Sequence, residues 1–229
     1  MAEASPGWTR ARVCDAVRLY LVTDRALCGG RALLDVVAAA VAGGVTCVQL
    51  REKELPTREF VMLARALALI LRPAGIPLII NDRLDVALVA GAQGLHLGQS
   101  DLDVFDARRH LPAGALLGLS VESLDDVRAS RGLPVDYLGV SPVFGTPTKT
   151  DTAAPFGLEG LRSARALSDL PLVAIGGLNE TNAAPVRRAG ADGVAVVSAL
   201  MAAPDAKAAA RVLRRWVDDP GPAPPPLAP

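Results

Sequence analysis

The chain has 229 residues, 51% of them hydrophobic, and its 24 basic and 24 acidic side chains cancel to a formal charge of zero. That length accommodates one large core, while balanced charge and 3% aromatic content exclude a basic nucleic-acid footprint or a base-stacking platform. Cys14, Cys28 and Cys47 are odd in number and lack metal spacing, so they read as small thiols in a reducing compartment.

Residues 1–15 contain no apolar run of signal-peptide length, and no later run reaches membrane-spanning length. A cytoplasmic protein without membrane or nucleic-acid partners is expected. Short apolar runs then alternate with longer Ala-rich amphipathic segments. Strands are predicted at Arg18–Thr23, Cys47–Leu50, Pro77–Ile80, Gly94–Leu97, Leu116–Ser120, Tyr137–Val143, Pro171–Ile175 and Gly193–Val197. Helical stretches between or after them include Ala32–Ala42, Thr57–Leu71, Ser123–Arg131, Thr181–Ala189 and Asp205–Val217. Strands separated by helices of this length require parallel crossovers. The pattern predicts a single-domain α/β (β/α)8 TIM barrel, with a doubly wound open sheet as the runner-up. The predicted organisation is an N-terminal extension (1–15), a catalytic barrel (16–217) and a disordered tail (218–229) rich in Pro, Ala and Gly.

Polar residues gather where the apolar runs end, the face at which barrel active sites lie. After Cys47-Val48, strand alternation puts Gln49, Arg51 and Lys53 on one side and Leu50 and Glu52 on the other. Two cations brought together call for an anion, either a ligand or a nearby acid such as Glu52 or Asp82. Asn81-Asp82 ends the third run and Asp101 follows the fourth, so two carboxylates on adjacent strands could hold Mg2+, which needs few protein ligands. Helix capping is the competing role for Asp82 and the favoured one for Asp85. His96 reads as a satisfied interior histidine and His110 as a surface residue. The loop after the sixth run carries Thr146, Thr148 and Lys149; with only three lysines against 21 arginines, Lys149 marks a place for a compact point charge. Gly176-Gly177 and Val197-Ser198 stand after the seventh and eighth runs, where many barrels place a phosphate. Two anion sites imply two phosphorylated substrates, one with a diphosphate leaving group.

These residues occur in ordered motifs: Tyr-Leu-Val-Thr-Asp (20–24), Val-Gln-Leu-Arg-Glu-Lys (48–53), Ile-Asn-Asp (80–82) and Leu-His-Leu-Gly-Gln-Ser-Asp (95–101). Pro-Val-Phe-Gly-Thr-Pro-Thr-Lys (142–149), Ala-Ile-Gly-Gly (174–177) and Val-Val-Ser-Ala (196–199) complete the set. Together they resemble the thiamine-phosphate synthase family over roughly residues 19–199. The resemblance implies a (β/α)8 barrel that joins hydroxymethylpyrimidine diphosphate to thiazole phosphate by a dissociative displacement. It implies that Gln49, Arg51, Lys53, Asn81 and Lys149 hold the pyrimidine diphosphate, with Arg51, Lys53 and Lys149 serving the departing group. It further implies that Asp82 and Asp101 ligate Mg2+, that Ser120 contacts the pyrimidine, and that Thr146, Thr148, Gly177, Val197 and Ser198 surround the thiazole phosphate. Gly145 stands where the family often has proline or another residue. A homo-oligomer is left open. The alternatives are a thiazole tautomerase-like barrel, a non-catalytic thiamine-phosphate-binding barrel and a phosphate-sugar barrel. The tautomerase subfamily uses a histidine near the fifth strand, where this chain has Ser120-Val121-Glu122.

Overall fold

Runs rich in Val, Leu and Ile leave no polar face for water, so each is buried on both sides as a parallel strand. In the computed structural model, which describes residues 8–145 and 154–221, these strands number eight. They are β1 (Leu19–Val22), β2 (Cys47–Leu50), β3 (Leu78–Asn81), β4 (Gly94–Leu97), β5 (Leu116–Val121), β6 (Tyr137–Val140), β7 (Leu172–Ala174) and β8 (Gly193–Val196). They pair in sequence order, and Leu19 opposite Val194 and Leu21 opposite Val196 close β1 onto β8. The fold is the expected TIM barrel. The sixth strand is shorter than its apolar run suggests because Pro142 has no N–H for a ladder. The chain still runs beside β7, with Val143 N–H donating to the Ile175 carbonyl at 2.8 Å.

Helix α1 (Arg10–Ala16) precedes the barrel, in a stretch where the sequence predicts no element. Helices α2 (Leu33–Ala42), α3 (Thr57–Leu71), α4 (Leu84–Ala90) and α5 (Val104–His110) follow the first four strands. Next come α6 (Leu124–Ala129), α7 (Gly157–Leu167) and α8 (Ala183–Arg188), with α9 (Ser198–Met201) and α10 (Ala206–Asp218) after the last strand. Helix α3 shows why they pack: Phe60, Ala64, Leu67 and Leu71 recur at helical spacing and are buried against the sheet. It stops at Arg72-Pro73, and Gly75 turns the chain with φ of 66°. Asp205 caps α10 by accepting from the Ala208 N–H. At Gly43, after α2, a Cβ would lie 2.6 Å from that of Ala210 in α10, so this close approach requires glycine.

Alternation along the strands sorts the core into two layers. Leu21, Val48, Leu50, Leu78, Ile80 and Leu95 face the helices, whereas Tyr20, Val22, Cys47, Ile79, Leu116, Tyr137, Val173 and Ala195 fill the lumen. Val13, Val17 and Trp8 pack against this inner layer from the N-terminal end of the strands.

That end carries a fourfold pattern. Thr46, Gln93, Asp136 and Asp192 each stand immediately before an even-numbered strand. Each accepts an N–H from the first or second residue of the preceding odd strand: Leu19 at 2.9 Å, Leu78 at 3.0 Å, Leu117 at 2.7 Å and Leu172 at 2.9 Å. Arg108 pairs with Asp136 at 2.6 Å and Arg165 with Asp192 at 2.8 Å, which balances the two carboxylates.

The lumen has little room to spare. At Gly94, a Cβ would lie 2.6 Å from the Leu116 carbonyl oxygen and 2.6 Å from Ile79 Cδ1. Gly94→Ala is expected to cost about 1–3 kcal/mol, the range for overpacking a well-filled core. Chemical denaturation should show a lower midpoint with an unchanged slope, and an unchanged midpoint would show that β5 shifts freely.

Candidate functional site

At the C-terminal end of the strands the inner layer stops short of the rim and leaves a cavity of about 620 Å³. Gln49, Arg51, Lys53, Asn81, Asp82, Asp101, Ser120, Gly177, Val197 and Ser198 all line it, so residues from strands far apart in sequence meet in one place. Thr146, Thr148 and Lys149 lie outside the described residues.

Strand β2 delivers Gln49 into the lumen and leaves Arg51 and Lys53 on the rim, while Leu50 points to the helices. Glu52 turns to the outer side and pairs with Arg25 at 3.0 Å. Lys53 Nζ donates to Asp82 Oδ2 at 2.8 Å, one of the acid partners that the sequence left open. The lysine is more than half exposed, so the pair adds at most about 1 kcal/mol of stability. What it does is hold an ammonium at the cavity wall.

Asp82 is the non-glycine residue with positive φ among the described residues, at 62°. Such a backbone costs about 1–3 kcal/mol unless its surroundings fix it. Here the Asp82 N–H is fixed by the His96 carbonyl at 2.9 Å, and the side chain meets Lys53 and Asp101. The Asp101 carboxylate also accepts from the Gly98 N–H at 2.7 Å. The two carboxyls push each other apart in acidity. Burial works to raise Asp82, but the bond and charge from Lys53 and the bond from Asp101 hold it below the ordinary range. Burial, aided by the neighbouring Asp82, raises Asp101. Asp85, expected as a helix cap, instead lies in the first turn of α4 and pairs with Arg83 at 2.6 Å.

Across the cavity, the chain leaving β7 turns at Gly176 and Gly177 with φ of 103° and 64°. A Cβ on Gly177 would lie 2.7 Å from the Gly145 carbonyl oxygen and 2.9 Å from Phe144 Cβ, so both its φ and the available space require glycine. The Gly177 carbonyl accepts from Asn182 Nδ2 at 2.9 Å, and Ser198 opens α9 beside it on the cavity wall.

The cavity floor is a buried polar row. Gln49 Nε2 donates to the Tyr20 hydroxyl at 2.9 Å, and the Tyr20 and Tyr137 hydroxyls are 2.9 Å apart. His96 lies 3.1 Å from the Tyr137 hydroxyl through Nδ1 and 2.9 Å from Ser120 Oγ through Nε2. His96 is interior, as expected, yet it also lines the cavity, and burial lowers its pKa to about 4. Gly118 and Gly139 make the space: a Cβ on the first would strike Tyr137 and His96, and on the second would lie 3.1 Å from His96 Cε1. The sequence reading assigned Tyr20 and Tyr137 no part in the site. Their signal was available, since both stand at inward positions of apolar strands, where a hydroxyl must find a partner.

Comparison with known proteins identifies the family. A family model described as thiamine monophosphate synthase matches residues 19–200. The thiamine-phosphate synthase of Albidiferax ferrireducens is 64% identical over 203 residues, covering 89% of this chain and 93% of that one. That of Syntrophomonas wolfei is 53% identical over 197 residues, covering 86% and 94%. Among solved structures, the thiamine phosphate pyrophosphorylase from Pyrococcus furiosus superimposes with a TM-score of 0.84 at 36% identity, over 91% of this chain and 98% of that one. The chain therefore belongs to the thiamine monophosphate synthase family and is an enzyme of that class.

Proposed function

We propose that the enzyme joins 4-amino-2-methyl-5-hydroxymethylpyrimidine diphosphate to 4-methyl-5-(2-phosphooxyethyl)thiazole, giving thiamine phosphate and diphosphate. One observation carries this reading: a single cavity has cations and paired carboxylates on one wall and a glycine turn with Ser198 on another. Two phosphorylated substrates, the names of the relatives and the separation of the two anion-suited walls are mutually consistent.

In this reading the bond between the pyrimidine methylene and the diphosphate oxygen breaks, and its electron pair leaves with diphosphate. The thiazole nitrogen lone pair then forms the new carbon–nitrogen bond. No proton is transferred, so the site needs no general base. Its task is to meet negative charge as it develops on the leaving group, which Arg51, Lys53 and Lys149 are suited to do. The apolar walls at Val173, Ile175 and Val197 limit water around the electron-poor methylene.

Asp82 and Asp101 fit a hard dication, since they offer carboxylate oxygens side by side from adjacent strand ends. Among the described residues no third His, Cys, Asp or Glu gathers with them, which suits Mg2+ and its habit of keeping water and phosphate ligands. When bound there, Mg2+ supplies charge neutralisation for the diphosphate. No helix among the described residues is long and apolar enough to cross a membrane, and this reading places the reaction in the cytoplasm.

Arg51→Ala is expected to lower turnover by about a hundred- to a thousandfold, the effect of removing one preorganised charge-stabilising contact. Its melting temperature should stay close to that of the wild type, and Lys149→Ala should behave alike. Wild-type turnover in a coupled diphosphate-release assay with Arg51→Ala would overturn the assignment. Asp82→Asn tests the metal role separately, because Asn tolerates the same left-handed backbone. It should fold normally but raise half-saturating Mg2+ at least about tenfold. In the wild type, half-saturating Mg2+ should rise as pH falls, because Asp101, raised in pKa, takes a proton first. An Mg2+ response unaffected by both Asp82→Asn and acid would remove these carboxylates from metal binding.

A further inference from the structure

The buried row beneath the cavity has a direction. Gln49 Nε2 donates to Tyr20, which leaves the Gln49 carbonyl oxygen free toward the cavity. Each phenol has a single proton to pass on. Tyr20 therefore donates to Tyr137, and Tyr137 donates to His96 Nδ1. Cys47 also lies against the Tyr20 hydroxyl, but a thiol is the weaker acceptor, so the phenolic proton goes to oxygen. With Nδ1 accepting, the imidazole proton sits on Nε2 and is donated to Ser120 Oγ, whose own proton then points onward. One end of the row offers the cavity an acceptor and the other offers it a donor.

We propose that Tyr20, Tyr137 and His96 are positioning residues that fix these opposite hydrogen-bonding signs, so that the site selects a heterocycle presenting a donor to Gln49 and an acceptor to Ser120. This rests on the reading above, and it predicts that the enzyme favours a 4-aminopyrimidine over its 4-oxo counterpart. The aminopyrimidine carries an exocyclic N–H donor and bare ring nitrogens. The oxo ring has an acceptor in place of the amine and a proton on a ring nitrogen, so the pattern is inverted. Shape alone separates such rings poorly, whereas a buried polar group left unpaired discriminates strongly. Space for the row is built into the barrel, since the rings occupy volume that Gly118 and Gly139 leave open. Tyr20 and Tyr137 are almost wholly buried, so their hydroxyls depend on one another and on His96 and Gln49 for partners.

The test compares wild type with Tyr20→Phe and Tyr137→Phe, each as the full chain, on the 4-amino and 4-oxo pyrimidine diphosphates with thiazole phosphate. Wild type should favour the amino substrate by about a hundredfold or more in kcat/KM. Each phenylalanine variant should lose at least about tenfold of that preference, with KM for the thiazole phosphate essentially unchanged. An unchanged preference, or equal losses on both pyrimidines, would overturn the inference. A second measurement needs no variant. The chain has only two histidines, His96 and His110, so nitrogen NMR of the wild type with bound 4-aminopyrimidine reads His96 directly. One fixed Nε2–H tautomer is expected, and an Nδ1–H or averaged tautomer would overturn the inference. No product from either pyrimidine with wild type would instead sink the proposed reaction, and this inference with it.

Discussion

A closed eight-stranded barrel has an interior just wide enough to be filled by side chains, and that limit governs the rest of the molecule. Every inward group must be packed or hydrogen-bonded, because nothing else can occupy the space. Lower in the lumen the demand is met by Cys47, Ile79 and Leu116, with Gly94 where even a methyl does not fit. Higher up it is met by polar groups in contact with one another, from Gln49 through the two tyrosines to His96 and Ser120. Above that row the filling stops, and the cavity begins.

The two ends of the barrel handle charge differently. At the N-terminal end, Asp136 and Asp192 each accept a strand N–H and face an arginine, so their charge is satisfied within the fold. At the C-terminal end, Asp82 and Asp101 face each other with one lysine nearby, and one of them sits on a strained backbone. Two neighbouring carboxylates are an unfavourable arrangement for a fold and a suitable one for a cation. Barrel folds in general hold stability at one mouth and chemistry at the other, and these two pairs of acids lie at opposite mouths.

Much of this was legible in the sequence. The strand positions followed from short apolar runs, and Gln49, Arg51 and Lys53 followed from period-two alternation carried past Leu50. The cavity followed from a shared address at the strand ends. Other features depended on three-dimensional neighbours. The left-handed backbone at Asp82 is imposed by its bond to His96 on the next strand, which no local propensity reports. Strand β6 was overread because its apolar run continues through Pro142, whose missing N–H outweighs hydrophobicity. Helix α1 is short, and only Val13 within it is buried, so its periodic signal was too weak to read. The middle of the polar row stayed hidden because Tyr20, Tyr137 and His96, each taken alone, read as ordinary core side chains.

The seam between β1 and β8 joins the sheet's most distant parts, pairing residues 19–21 with 194–196. Both ends of the described chain attend to it. Arg10 in α1 reaches Asp192 at 3.3 Å, and Arg18 reaches Asp218 of α10 at 3.5 Å. The other seven strand pairs are joined by a continuous connection, whereas this one is held only by contact. The terminal helices thus act as a clasp on a ring that the backbone leaves open. In a circularly permuted chain the covalent join would lie at this seam, and the clasp would have to be rebuilt wherever the new ends were cut.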